Sequence, residues 1–241
     1  MSLKENTEIR LHVFLAHAGV ASRRAAEKLI AEGRVAVNGR TISAPGEKVL
    51  PTDEVCFDGK RVKIENRLEY LVLHKPPLYI CSSHDPQGRQ LALDLLPPAD
   101  TTGRRLYNVG RLDYRSSGLI IFTNDGAFAA RLGHPSSEIE KEYLVDSTVP
   151  IQDRMIEEFS RGVLIDGILY RARQIERTGK KSLRVVLIEG KNREIRRVFS
   201  HFRLHPEKLV RVRIGPVNLG SLKEGESRPL SVEEISVFMR S

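Results

Sequence analysis

Asp113 lies in the stretch Asn108-Val109-Gly110-Arg111-Leu112-Asp113-Tyr114-Arg115-Ser116-Ser117-Gly118-Leu119, with an arginine two residues to either side. A carboxylate among guanidinium groups can serve as a reacting group, or it can cap a turn and pair with an arginine. Spacing alone favours the turn cap. Asp113 and Asp125 together would suit two-carboxylate glycoside hydrolysis. Asp125, however, falls in Asn124-Asp125-Gly126, which reads as a turn. Ser116 and Ser117 lack the setting of a nucleophile elbow. His134 precedes Pro135 and has no evident partner. The sequence contains no phosphate-cradling glycine loop, dinucleotide fingerprint, His-Glu-x-x-His motif or Cys/His cluster. No metal and no organic cofactor are therefore expected.

The elements that must position Asp113 follow from apolar patterning. Leu119-Ile120-Ile121-Phe122 is a short apolar run after polar Ser116-Ser117-Gly118, and it reads as a buried strand. Asp113 then sits in a loop feeding a core strand, where a rigid scaffold can hold a reacting side chain. Upstream, a strand is expected at 70–74, stopped by Lys75-Pro76-Pro77. A short partner strand at 79–83, a short helix around Leu91, Leu95 and Leu96, and a polar loop at 100–105 follow. Downstream come a turn at 123–126, a helix to about Leu132 and a strand at 140–145. A helix at 156–159 leads into a hairpin at 163–170 that turns at Asp166-Gly167. The series closes with a strand at 183–188, a helix at 194–202, a final strand at 209–214 and a helix at 231–239. Strands and helices mix without a strict βαβ rhythm, so the fold class is α+β.

The first sixty residues read differently. Leu11, Phe14, Leu15 and Ala18 have helical spacing, and Ser22 is an N-cap for a second helix over 23–32. Arg23, Arg24 and Lys28 are left outward on that helix. Asn38-Gly39 is a strong hairpin signal, since both turn residues must accept positive φ. Asp58-Gly59 marks another turn. Residues 9–64 thus form a small module of two helices and a small sheet. A polar linker spans 65–69, and residues 70–241 make the larger domain.

The 241 residues are 40% hydrophobic and 29% charged, as in ordinary globular proteins. No apolar run approaches the roughly 18 residues of a membrane span. The N-terminus has no apolar segment, so no secretory signal is expected. Cys56 and Cys81 have no metal-type spacing, and a cytoplasmic protein with reduced thiols is the simplest reading. The net charge is +8, which favours an anionic partner and nucleic acid above all. Between Arg184 and Arg213 nine basic residues stand against three acidic ones, so most of the excess lies in one late block. Interleaved Ile195, Val198, Phe199 and Val210 suggest that those cations are carried on folded elements.

Two resemblances give these features a purpose. Gly19-Val20-Ala21-Ser22-Arg23-Arg24-Ala25-Ala26-Glu27 and Gly33-Arg34-Val35-Ala36-Val37-Asn38-Gly39 resemble the RNA-binding module named after small-subunit ribosomal protein four. In that family Arg23, Arg24 and Lys28 would face phosphates, as flexible cations on a rigid helix do without reading sequence. Gly110-Arg111-Leu112-Asp113, with Ser117-Gly118-Leu119 and Thr123-Asn124-Asp125-Gly126, is similar to the catalytic motif of pseudouridine synthases, in particular the branch acting on single uridines of ribosomal RNA. His74-Lys75-Pro76, Lys141-Glu142-Tyr143, the run 189–197, and the run 209–222 with Gly225-Glu226-Ser227-Arg228 agree with it in order.

The resemblance implies a catalytic domain with a central mixed, mainly antiparallel sheet flanked by helices. It implies that Asp113 is catalytic on the sugar of a flipped uridine, with Arg196 pairing with it. Tyr143 would stack on the uracil, and Ile195 would pack beside the ring. Arg111 would fill the gap in the RNA stack. Lys75, Lys191, Arg193 and Arg197 would help bind substrate. The implied partner is ribosomal RNA, large-subunit by preference, or a ribosome-assembly intermediate, and a monomer is expected. Small-subunit RNA is the alternative target. From another class, a non-catalytic RNA-binding or ribosome-assembly factor on the same scaffold is the competing reading. Two departures are visible: Pro77 stands where the family often has glycine, and Tyr114-Arg115 follow Asp113 where relatives often carry other types.

Overall fold

The computed structural model describes residues 7–64, 67–97 and 105–240. Glu65 and Asn66 of the expected linker, and 100–104 of the expected polar loop, lie outside the described residues. The chain divides into two compact units. The first holds the described residues up to Glu69, with Arg105, Leu106 and Asn124–Gly126. The second holds Tyr70–Pro97, Tyr107–Thr123 and the rest of the chain from Ala127.

In the first unit, β1 (Ile9–Arg10) leads directly into α1 (Leu11–His17), and α2 (Arg23–Ala31) follows. Ser22 starts α2, its Oγ accepting the Ala25 N–H at 3.2 Å, which satisfies one of the orphan donors of the first turn. Then come β2 (Val35–Val37), β3 (Arg40–Ile42), β4 (Lys48–Val49), β5 (Val55–Phe57) and β6 (Lys60–Val62). Four of these form an antiparallel sheet in the order β3-β2-β5-β6, while β4 pairs with β1. Asn38 and Gly39 (φ 48° and 81°), like Asp58 and Gly59 (φ 46° and 75°), supply the left-handed pairs that two-residue hairpins need. Phe14 and Leu15 of α1 and Ala26 and Ile30 of α2 are buried on the same core as Val35 and Val55. Arg23, Arg24 and Lys28 are exposed.

The second unit is built on a mixed sheet. Its strands are β7 (Tyr70–Lys75), β8 (Tyr107–Val109), β9 (Ser117–Thr123), β10 (Lys141–Ser147), β13 (Gln174–Gly179), β14 (Ser182–Leu187), β15 (Pro206–Ile214), β16 (Val217–Asn218) and β17 (Ser227–Pro229), while the small hairpin of β11 (Val163–Ile165) and β12 (Ile168–Tyr170) stands apart. The main order is β13-β14-β10-β15-β9-β7-β17, and every pairing is antiparallel except β15 with β9. The helices are α3 (Gly126–Gly133), α4 (Asp153–Arg161), α5 (Glu194–His201) and α6 (Val232–Arg240). The class is α+β, as the sequence suggested.

Strand β9 is the centre of the unit, and each of its seven residues is buried. Strand β7 pairs along one edge, from Tyr70 opposite Thr123 to Lys75 opposite Gly118. The other edge is shared. β8 covers Ile121 to Thr123, and β15 takes over at Ser117 and Gly118. The loop 110–116 runs from the end of β8 back to the start of β9, at the place where one neighbour gives way to the other. Gly118 is required there: its φ is 110°, and a Cβ would land on the backbone of Arg211 in β15.

Two local expectations need correction, and one strand carries no signal in the sequence. No strand forms at 79–83; that segment makes a single bridge, Ile80 with Leu91, and Leu78 at φ 69° breaks the extended backbone before it. The last strand is not at 209–214. Strand β15 begins at Pro206, and β16 and β17 follow it. Strand β13 was not foreseen, since its sequence is polar and mostly exposed on both faces; it is an edge strand held by β14 alone. Similarly, β17 is short, contains Pro229 and lies at the opposite edge, where a missing ladder donor is tolerated.

Candidate active site

Asp113 begins a tight turn, in which its carbonyl accepts the Ser116 N–H at 3.0 Å. The turn-cap reading is thus half right for the backbone, while the carboxylate points elsewhere. Its Oδ2 lies 3.6 Å from Nε of Arg196 and 3.6 Å from Nη1 of Arg193. Both arginines come from the start of α5, and Arg193 stands in the left-handed region at φ 52° as the N-cap residue.

Arg196 does more than pair with the carboxylate. Its Nη2 donates to the Arg115 carbonyl at 3.2 Å and to Ser116 Oγ at 3.1 Å, and Nη1 reaches the Pro206 carbonyl at 3.5 Å. One guanidinium therefore grips three residues of the Asp113 turn. Burial lowers the proton affinity of Arg196, and the charge of Asp113 opposes that fall. Its buried Nε makes no hydrogen bond. At 3.6 Å the pair is an ion pair just outside hydrogen-bond reach.

A cleft of about 370 Å³ opens beside this pair. Arg111, Asp113, Tyr143, Lys191, Arg193 and Ile195 are among the residues lining it. Tyr143 is 9% exposed on the central strand β10, and Ile195 is buried on α5. Arg111 is exposed. Lys191 lines the cleft but is partly engaged: Nζ donates to the Leu169 carbonyl at 3.0 Å and pairs with Glu189 at 2.7 Å.

Lys75 and Arg197 do not line the cleft. Lys75 is fully buried, with Nζ donating to the carbonyls of Pro76 (2.7 Å) and Tyr79 (3.0 Å). Arg197 turns to Asp166 of the β11–β12 hairpin at 3.7 Å.

Lys141, Glu194 and Arg211 stand in motif segments of the sequence, where no role attaches to them. Arg211 is 3% exposed and runs between both ends of the Asp113 loop. Its Nε donates to the Leu119 carbonyl at 2.7 Å and its Nη1 reaches the Arg111 carbonyl at 3.5 Å. Lys141 Nζ gathers the carbonyls of Ile139, Ile188 and Glu189, which pins the loop leading to Arg193. Glu194 is buried and accepts the Lys191 N–H at 3.0 Å. Burial pushes the Glu194 carboxyl up, and it pulls Lys141 and Lys75 down, Lys75 to about 8. Lys75, Lys141 and Arg211 thus share one device: a wholly or partly buried cation that donates to backbone carbonyls and shapes a loop near the cleft, although Nη2 of Arg211 is buried without a partner. Such groups are costly to bury without partners, so their carbonyl contacts matter. The available signal was topological, because a charge inside the central strand β15 must be covered by β9 and β10. That neighbourhood is not visible in sequence spacing.

A family model described as RNA pseudouridylate synthase matches residues 69–201. The chain belongs to that family. A second family model, the S4 domain, matches residues 9–55. Among relatives, an uncharacterized RNA pseudouridine synthase of Borreliella burgdorferi is 41% identical over 94% of this chain and 92% of its own length. The ribosomal large subunit pseudouridine synthase B of Bacillus subtilis is 35% identical over 94% of this chain and 93% of its own. A crystal structure of a pseudouridylate synthase superposes with a TM-score of 0.70 at 28% identity, covering 95% of this chain and 99% of that one. The residues around Asp113 lie within the matched segment, and of the cleft lining only Leu209, Arg211 and Ile214 lie beyond it. Among the described residues no helix is long and apolar enough to cross a membrane.

Proposed function

We propose that this chain converts a uridine of large-subunit ribosomal RNA to pseudouridine in the cytoplasm, and that Asp113 carries the chemistry. The observation behind the reading is the ion pair of Asp113 with Arg196, 3.6 Å apart, in a cleft that Tyr143 and Ile195 also line. The cleft volume of about 370 Å³ suits one extruded nucleoside. The ribosomal large-subunit target is taken from the name of the Bacillus subtilis relative. The S4 match covers exposed Arg23, Arg24 and Lys28, which suit backbone phosphates.

In the reaction the N1–C1′ bond of the uridine breaks, the uracil turns within the cleft, and C5 bonds to C1′. The hydrogen on C5 leaves as a proton and N1 takes one up, so no net electron transfer occurs. The base must first leave its stack, at a cost of a few kcal/mol. Arg111 occupies the vacated place, Tyr143 offers its ring to the uracil face and shields it or helps remove its proton, and Ile195 packs beside it. Asp113 acts at the sugar, with Arg196 matching its charge and fixing its direction. Lys191 and Arg193 hold substrate at the cleft mouth.

Release of tritium from C5-labelled large-subunit ribosomal RNA tests the reading. Asp113→Asn is nearly isosteric and is expected to abolish release while RNA affinity persists. Undiminished release would overturn the role of Asp113. No release by the unaltered chain, with RNA affinity retained, would favour a non-catalytic RNA-binding factor.

A further inference from the structure

One residue near the cleft adopts a conformation that its type disfavours. Among the described residues, the non-glycine positions with positive φ are Asn, Asp, Glu and Arg residues, apart from Leu78 at φ 69°. A left-handed backbone is strained for a bulky apolar residue, and such strain persists only where the surroundings impose it. Those surroundings are visible. Buried Lys75 draws in the carbonyls of Pro76 and Tyr79 on either side of Leu78. The Leu78 N–H then donates to the Tyr114 carbonyl at 2.6 Å.

The strain is not repaid by burial. Leu78 is 55% exposed and Tyr114, next in chain to Asp113, is 40% exposed. Neither lines the cleft. The fold thus holds a strained leucine against the backbone of an aromatic residue immediately outside the site and leaves both residues partly exposed. Exposed Arg111 and Arg115 flank Tyr114 in the same loop. An apolar pair among cations fits a partner with flat apolar faces joined by negative charges, which is the chemistry of unstacked RNA bases.

We propose that Leu78 and Tyr114 form a substrate-contact pair that holds an unstacked base beside the target uridine. This rests on the reading above that the chain acts on RNA. Stacking on an aromatic ring tolerates any base, so the pair secures the strand that the extruded uridine leaves distorted. Contact with a neighbouring nucleotide is made equally in the ground and transition states, so its loss raises KM and spares kcat.

The experiment compares the full chain with Leu78→Gly, Tyr114→Phe and Tyr114→Ala. It measures kcat and KM for tritium release from large-subunit ribosomal RNA, the Kd for the same transcript, melting temperature and oligomeric state. Tyr114→Ala is expected to raise KM and Kd about tenfold with kcat unchanged, and Tyr114→Phe to restore both. Leu78→Gly is expected to raise KM several-fold while melting at or above the temperature of the unaltered chain, since glycine accepts the left-handed backbone. KM and Kd within twofold of the unaltered chain in both Leu78→Gly and Tyr114→Ala would overturn the proposal. So would a lower melting temperature for Leu78→Gly, which would make Leu78 structural, or a change of oligomeric state, which would make the pair an interface between copies. Failure of the underlying reading would look different: the unaltered chain itself would release no tritium, and the Kd values would still report on the contact.

Discussion

Oδ2 of Asp113 lies 3.6 Å from Nε of Arg196, and the same guanidinium holds the Arg115 carbonyl and Ser116 Oγ through Nη2. The pair is therefore both a charge match and a clamp on the turn that aims the carboxylate. Lysine keeps the charge but not the planar fork. Arg196→Lys is expected to lower kcat about 100-fold, the scale of a small misplacement of a reacting group, with a smaller effect on KM. Steady-state tritium release measures both. An unchanged kcat would mean that charge alone suffices.

Lys75 makes the stability of the second unit depend on pH. Burial lowers it from its ordinary 10.5 to about 8 in the folded chain. Between those values the unfolded chain binds more protons than the folded one, so this group makes stability rise with pH across that window. Below pH 8 the cost of burying the charge is constant. The melting temperature of the unaltered chain is expected to gain on that of Lys75→Met between pH 8 and 10. Parallel curves would show that Lys75 titrates normally.

Glycines 118 and 39 separate close approach from backbone preference. At Gly118 a Cβ meets the Arg211 backbone and φ is 110°, whereas at Gly39 φ is 81° and nothing lies within 4 Å. Gly118→Ala is expected to cost about 3 kcal/mol, from overpacking and strain together. Gly39→Ala is expected to cost about 1 kcal/mol, from the left-handed backbone alone. Urea denaturation gives both values, and equal costs would show that β15 yields to the added methyl group.

The exposed basic face of α2 carries Arg23, Arg24 and Lys28. Replacing all three with glutamine is expected to reduce the slope of log affinity against log salt by about 2 to 3, at somewhat under one released counterion for each lost phosphate contact. Affinity for a ribosomal RNA transcript between 50 and 200 mM salt, as a rough span over which such losses show, reads this directly. An unchanged slope would remove α2 from the RNA contact.

The loop position of Asp113 was legible because it stands between turn residues and the apolar run of β9, while its expected role came from the resemblance alone. The helix start at Ser22 and the hairpins at Asn38-Gly39 and Asp166-Gly167 were legible for the same reason: caps and left-handed turns depend on a few adjacent residues. Arg196 was named through resemblance, and its contact with Asp113 comes from the packing of α5 against a loop far away in sequence. Arg211, Lys141 and the buried state of Lys75 were not legible. Nothing in a local pattern distinguishes a cation bound to carbonyls inside a sheet from one in water. Strand β15 decides Arg211 by lying between β9 and β10, and the loop after β7 decides Lys75 by folding its carbonyls over the ammonium group. The sequence by itself determined the local turns, the helix cap at Ser22 and the apolar run that becomes β9. The tertiary structure alone decided which cations are buried and what they hold, because burial and partner choice depend on strand neighbours that have no fixed separation along the chain.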